Sequence, residues 1–353
     1  MKRGWYPMRR RKHNVCGRLL AQAARVPGLM LGLALGMAPG HAHAVDPEGA
    51  EIAARYAFAH GAVAFLVLHG DDILVERYAE GIDPTRLQML FSGGKSFSCA
   101  IGAAAVDEGL LEWDAPVERY IEEWRGAGRS GITIRNLLSL DSGLDPVRSD
   151  GRDSPLTTRQ TVSAALQARI LSPPGRRFSY GHYPFLVFSE VVRRATGREA
   201  GEYLALRVLG PISARAEWLP TADGHTHLAD GALMAPRDWL SFGKLVRDGG
   251  RWEGRQVLGE ATLAECFKPS RSNRRYGMGW WLDSGATTCR SGDDARRDGR
   301  PCMVSARGRY SNALHVLPQA GLVVVVIGRT GGAGEDEIYQ QRLLRALLGR
   351  SRD

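Results

Sequence analysis

Phe91-Ser92-Gly93-Gly94-Lys95-Ser96-Phe97, continuing as Ser98-Cys99-Ala100-Ile101-Gly102-Ala103-Ala104-Ala105-Val106, decides how the rest of the chain is read. It places Ser-x-x-Lys at the start of a small-residue run with the look of a buried helix. Residues three apart on a helix are neighbours, so Lys95 stands beside the Ser92 hydroxyl. A helix N-terminus also favours developing negative charge. Of 47 basic residues only five are lysines: Lys2, Lys12, Lys95, Lys244 and Lys268. A guanidinium keeps its proton in a protein, whereas an amine can release one. A lysine retained three residues after a serine therefore points to a serine nucleophile activated by its neighbour. Ser-x-x-Lys alone is weak, since about one match is expected by chance in a chain of this size. A second match, Ser241-Phe242-Gly243-Lys244, lies inside Pro236 to Val246 and reads as ordinary helix surface.

Outward from this stretch, the N-terminus reads as a secretory signal. Residues 1–25 carry eight bases and no acid; an apolar run from Val26 to Ala38 follows, then Ala42-His43-Ala44, with cleavage expected after Ala44. The apolar run is too short to span a bilayer comfortably, so no stable membrane span is expected after its removal, and the location implied is periplasmic or secreted. The full chain is 353 residues with net charge +9, but residues 45–353 hold 39 bases against 38 acids. The overall basicity therefore carries no argument for nucleic acid.

Four cysteines remain beyond the signal: Cys99, Cys266, Cys289 and Cys302. An exported protein can oxidise them, and four allow three pairings. Cys289 and Cys302 flank a polar stretch and are the expected bridge; Cys99 is expected to be a buried free thiol. The spacings suggest no metal site.

Strand signals lie at Ala62–Leu68 and Ile73–Tyr78 as a hairpin, then at Tyr276–Leu282, Ser311–Leu317 and Leu322–Ile327, the last apolar enough to be buried on both faces. Residues 48–60 and 335–348 read as helices. The order implies an α/β (α+β) fold: an antiparallel sheet built from both termini and flanked by helices (45–110 and 241–353), with a mainly helical insertion (111–240). Tyr180, in Phe178-Ser179-Tyr180, would lie over Ser92 if the insertion folds onto the sheet, and could serve as general base. Ser305-Ala306-Arg307-Gly308-Arg309 leads into the core strands, where a backbone N–H at or near Arg309 could complete an oxyanion hole with that of Ser92. His225-Thr226-His227 has metal-like spacing but no third ligand nearby, and reads as a solvated loop pair. His60, His69 and His315 have no constellation around them.

Together these residues resemble the serine β-lactamase-related family: class C β-lactamases, D-alanyl-D-alanine carboxypeptidases, and relatives acting as esterases or 6-aminohexanoate-dimer hydrolases. The likeness rests on Phe91–Phe97, Asp107-Glu108-Gly109-Leu110-Leu111, Ile132–Leu138 with Asp141-Ser142-Gly143-Leu144, Pro174-Gly175 with Phe178–Tyr180, Tyr276–Trp281 and Leu322–Val326. It implies a β-lactamase/transpeptidase-like fold, no cofactor, Ser92 as acylated nucleophile, Lys95 as its proton partner and Tyr180 as the base that activates water. Two departures stand out. The family's Tyr-x-Asn is Tyr180-Gly181-His182, putting an imidazole where an amide donor is usual. Its Lys-Thr-Gly is Ala306-Arg307-Gly308, leaving Arg307 or Arg309 to supply charge for a substrate carboxylate. Both departures favour a small-molecule ester or short-amide hydrolase over an efficient β-lactamase. Penicillin-binding carboxypeptidase or β-lactamase activity, and a non-catalytic sensor on the same fold, are the alternatives.

Overall fold

The structure, a computed structural model, describes Val45 and residues 47–147, 160–283, 301–329 and 336–348. The expected signal segment, residues 1–44, and Cys289 lie outside the described residues. Eleven strands occur among those described: β1 (Ala62–His69), β2 (Asp72–Tyr78), β3 (Gln88–Met89), β4 (Ala216–Trp218), β5 (Ala232–Met234), β6 (Arg251–Trp252), β7 (Arg255–Gln256), β8 (Trp281–Asp283), β9 (Met303–Arg307), β10 (Ala313–Leu317) and β11 (Leu322–Gly328). The principal helices are α1 (Pro47–Ala59), α2 (Phe97–Asp107), α3 (Ile134–Leu138), α4 (Val162–Leu166), α5 (Tyr183–Thr196), α6 (Ala200–Leu204), α7 (Pro236–Arg247), α8 (Glu260–Ala264) and α9 (Asp336–Leu347).

Six strands make one antiparallel sheet in the order β2-β1-β11-β10-β9-β8, so the chain's two ends meet at its centre, where β1 pairs with β11. Alternation along these strands sorts side chains to opposite faces. Leu66, Leu68, Val323, Val325 and Ile327 enter the larger core; Phe65, Val67, Leu322, Val324 and Val326 enter a second core closed by Ala50, Ala53, Ala57, Leu343 and Leu347 of α1 and α9. Helices cover both faces, which is why β11 is apolar throughout. Each such side chain contributes about 1.5–3 kcal/mol of burial.

The residues between β2 and β8 supply most of the helices and a three-stranded sheet, β3-β5-β4. Their ends carry recognisable signals. Thr133 caps α3 in a reciprocal capping box with Asn136. Helix α5 has Pro184 in its first turn and ends at Gly197 with φ 71°. Phe185, Phe188, Val191 and Val192 of α5 share the larger core with Phe97, Ala100 and Ile101 of α2.

One cysteine departs from expectation. Cys99 is not a free thiol: it is bonded to Cys266, with Cα atoms 5.8 Å apart and 167 positions between them in sequence. The bridge ties α2 to the turn after α8. Cys302 is also disulfide-bonded.

Candidate active site

Ser92 lies in a tight 3-10 turn, Phe91–Ser96, leading directly into α2. Phe91 before it has φ 51°, a left-handed conformation that costs a bulky residue roughly 1–2 kcal/mol. Two close approaches fix what surrounds the serine. A Cβ on Gly94 would come within 2.8 Å of the Ala232 side chain, so the missing side chain lets the start of β5 rest on this turn. A Cβ on Gly308 would come within 2.1 Å of the Leu90 carbonyl, so the end of β9 presses against the same turn from the sheet side.

The Lys95 ammonium is 1% exposed. Its Nζ donates to Ser92 Oγ at 2.8 Å, to the Ala229 carbonyl at 2.7 Å and to Asp230 Oδ1 at 3.5 Å. Ser92 Oγ–H donates to Asp230 Oδ1 at 2.8 Å. Burial alone would raise the Asp230 carboxyl, but the Lys95 charge first, with the Ser92 hydroxyl, holds it below the ordinary carboxylate range.

Tyr180 is brought to the same place. Ser179 N–H bonds the Leu140 carbonyl at 2.8 Å and His182 N–H bonds that of Pro146 at 2.8 Å, so the Leu140–Pro146 loop holds this segment from both sides. That loop is anchored in turn by Asp141, which accepts from Asn136, Ser270 and Ser272. The Tyr180 ring centroid lies 5.2 Å from Lys95 Nζ. The ring stacks on Trp281, centroids 5.9 Å apart, and meets Tyr276 edge-on. Arg307 lies over the Trp281 ring at 5.8 Å, and Arg309 lies over Phe91 and Tyr310. An aromatic wall carrying two arginines thus borders the serine. The Gly308 N–H bonds the Asn312 carbonyl at 2.8 Å within the β9–β10 turn, so Gly308 serves the site by close approach and not as a free donor.

His182 sits where the sequence pattern placed an amide donor, but it is buried and faces inward. Its Nδ1 bonds Gln160 Oε1 at 3.1 Å, and its Nε2 lies 3.5 Å from Asp230 Oδ2. Burial first, and Lys95 second, lower it to about 3, so the ring is neutral. His227 is not solvated either. It is fully buried, accepts from the Asp230 N–H at Nδ1 (3.1 Å) and bonds Gln160 Oε1 through Nε2 at 2.7 Å. His225 instead turns outward to Glu199, so the two histidines share no ligand. His315, which the sequence left isolated, bonds Ser305 Oγ at 2.8 Å and Gln340 Oε1 at 2.6 Å within the core. Asp230 and Gln160 went unnoticed in sequence because a lone acid after Leu228-Ala229 and a lone glutamine carry no local signal.

A model of the Beta-lactamase family matches residues 52–348. The chain belongs to the Beta-lactamase family. It is 25% identical over 248 residues to the 6-aminohexanoate-dimer hydrolase of Paenarthrobacter ureafaciens, covering 62% of this chain and 63% of that protein. It is 27% identical over 179 residues to a D-aminopeptidase of Cereibacter sphaeroides, covering 47% and 34%. The chain thus matches less than two thirds of the length of either relative. The fold is shared with a penicillin-binding protein homologue from Caulobacter crescentus, with TM-score 0.69 and 16% identity over 86% of this chain and 98% of that one.

Proposed function

We propose that this chain is an exported serine hydrolase that acts through an acyl-enzyme on a small ester, amide or cyclic amide. The observation that carries the reading is the Ser92 hydroxyl, held 2.8 Å from a buried Lys95 ammonium in a member of the Beta-lactamase family. The ammonium beside Oγ favours the oxygen as it gains charge on attack, and Tyr180, whose ring lies 5.2 Å from Lys95 Nζ, would assist the water that releases the acyl group. The β9–β10 turn, pressed against Leu90, brings a second run of backbone beside Ser92, as an oxyanion pocket requires. Arg307 and Arg309 supply positive charge for a substrate carboxylate. The two relatives named above are, by name, a hydrolase of 6-aminohexanoate dimer and a D-aminopeptidase, which supports the amide branch of the reading. Export is supported by the N-terminal pattern and by the Cys99–Cys266 bond, which belongs in an oxidising compartment. No helix among the described residues is long and apolar enough to cross a membrane.

Intact-protein mass spectrometry after incubation with a fluorophosphonate, and separately with a penicillin, tests this reading. A fluorophosphonate adduct absent from Ser92→Ala is the expected result. A persistent penicilloyl adduct would assign penicillin binding, and loss of penicillin with no adduct would assign β-lactamase activity. No adduct from either reagent would leave a non-catalytic sensor.

A further inference from the structure

The hydrogen bonds around Ser92 can be counted proton by proton. Ser92 Oγ is 2.8 Å from both Lys95 Nζ and Asp230 Oδ1, and each contact needs one proton between its two atoms. The hydroxyl has only one to give. If it pointed at a neutral Lys95 amine, the Asp230 contact would set a hydroxyl lone pair against a carboxylate lone pair. If it points at Asp230, Lys95 must supply the other proton, and its three N–H groups match three acceptors: Ser92 Oγ, the Ala229 carbonyl and Asp230 Oδ1. The arrangement in which every contact holds its proton, without taking one from the stronger base to protonate the acid, is a lysine ammonium, an aspartate carboxylate and a serine hydroxyl aimed at the carboxylate.

The groups behind Asp230 reinforce this. Gln160 Oε1 can only accept, so it fixes His182 with its proton on Nδ1 and His227 with its proton on Nε2. His227 Nδ1 is then free to accept the Asp230 N–H and hold that residue's backbone. His182 Nε2 presents a lone pair to Asp230 Oδ2, a contact that favours a proton arriving on the carboxylate over its absence.

We propose that Asp230 is a catalytic residue: it takes the Ser92 proton during acylation, while Lys95 stays an ammonium and steadies the attacking oxygen. As the bond from Ser92 Oγ to the acyl carbon forms, the hydroxyl proton moves to Asp230 Oδ1. It is then handed to the departing oxygen or nitrogen as the scissile bond breaks, which leaves acyl-Ser92, a protonated leaving group and the carboxylate restored. The inference rests on the serine hydrolase reading above, with Ser92 as nucleophile, and replaces the amine with a carboxylate as the base.

The rate of labelling by a fluorophosphonate tests it, because fluoride leaves without needing an acid and the rate reports proton removal alone. The groups facing Asp230 are Lys95, His182 and His227, with the Arg309 guanidinium further out, acting on His182. Both imidazoles are neutral above about pH 5, since they titrate at about 3 and about 4. Between pH 5.5 and 8.5 wild-type labelling is therefore expected to be level. Asp230→Asn is expected to label at least about 100-fold more slowly, the scale of a lost general base, with the residual rate now climbing with pH. Wild-type labelling that climbs about tenfold per pH unit would overturn the proposal and return the role to a neutral Lys95. So would Asp230→Asn labelling within about threefold of wild type, or slowed with a level profile, which marks a merely structural residue. If near-ultraviolet circular dichroism shows Asp230→Asn unfolded, the wild-type profile alone decides. Label on Ser92→Ala would instead remove Ser92 as nucleophile, and the Asp230 assignment with it.

Discussion

The chain contains the same four-residue pattern twice, and the two copies came to opposite ends. Ser92 and Lys95 lie in a turn packed under β5 and β9, with the lysine 1% exposed and its donors directed at Ser92 Oγ, the Ala229 carbonyl and Asp230 Oδ1. Ser241 and Lys244 lie on α7, where Lys244 reaches out to the exposed Asp71 at 2.6 Å and rests over Trp252. The spacing guarantees only that a serine and a lysine are neighbours. What separates a reactive pair from a surface pair is the third residue at hydrogen-bond distance and the exclusion of water, and both come from chain segments more than 100 positions away.

The largest effect expected from breaking the comparison is at the serines. Ser92→Ala should reduce turnover of any ester the enzyme accepts by about ten-thousandfold or more, as loss of a nucleophile does, while Ser241→Ala stays within about twofold. Equal losses would mean that α7 carries the chemistry. The lysines come next. Lys95→Arg keeps the charge but replaces a compact three-donor group with a planar fork in a filled pocket, and it should cost about a thousandfold in rate. Lys244→Arg, which can still reach Asp71, should be silent. Steady-state kinetics on both pairs, with circular dichroism as the folding control, checks these outcomes.

The difference between the copies was partly legible in sequence. Local features sufficed for the strands at both termini, the hairpin at His69–Asp72, the closing helix and the capped start of α3, because each depends on neighbours within a few residues. The flanking glycines and the apolar run that singled out Ser92 were legible for the same reason. Asp230, Gln160 and the buried role of His227 were not. Asp230 acts by meeting Ser92 across the 138 positions between them, and Gln160 and His227 act from behind it; nothing in a lone acid's neighbours announces such a meeting. The same holds for Cys99, whose partner is 167 positions on and whose helical setting suggested an inert thiol.

That disulfide offers a milder way to sharpen the contrast. It clamps α2, the helix into which the first motif leads, whereas α7 has no such clamp. The double variant Cys99→Ala, Cys266→Ala should lose about 2–4 kcal/mol of stability in urea unfolding. If the clamp positions Ser92 as well as stabilising the fold, fluorophosphonate labelling of the folded variant should slow too, and an unchanged labelling rate would confine the bridge to stability.

The smallest effect concerns the buried imidazoles, two of which flank the first motif and none the second. Burial lowers His182 to about 3, and His227 and His315 each to about 4, against an ordinary value near 6.5. Below pH 6.5 the unfolded chain binds protons that the native state refuses. Stability from these groups is therefore complete above about pH 6.5 and is lost as pH falls toward the folded values, at a slope approaching about 1.4 kcal/mol per pH unit for each histidine. Asp230, held below its ordinary range, adds its own loss only in stronger acid, as pH falls through its folded value. A urea titration between pH 7.5 and 5 thus isolates the histidines. His315→Gln, at a ring that bonds Gln340 of α9 and makes no contact with Ser92, Lys95 or Asp230, should remove one histidine's share of the slope and leave labelling of Ser92 unchanged. A slope as steep as wild type's would mean that His315 is charged within the fold, held by Ser305 and Gln340 in a way that burial alone forbids.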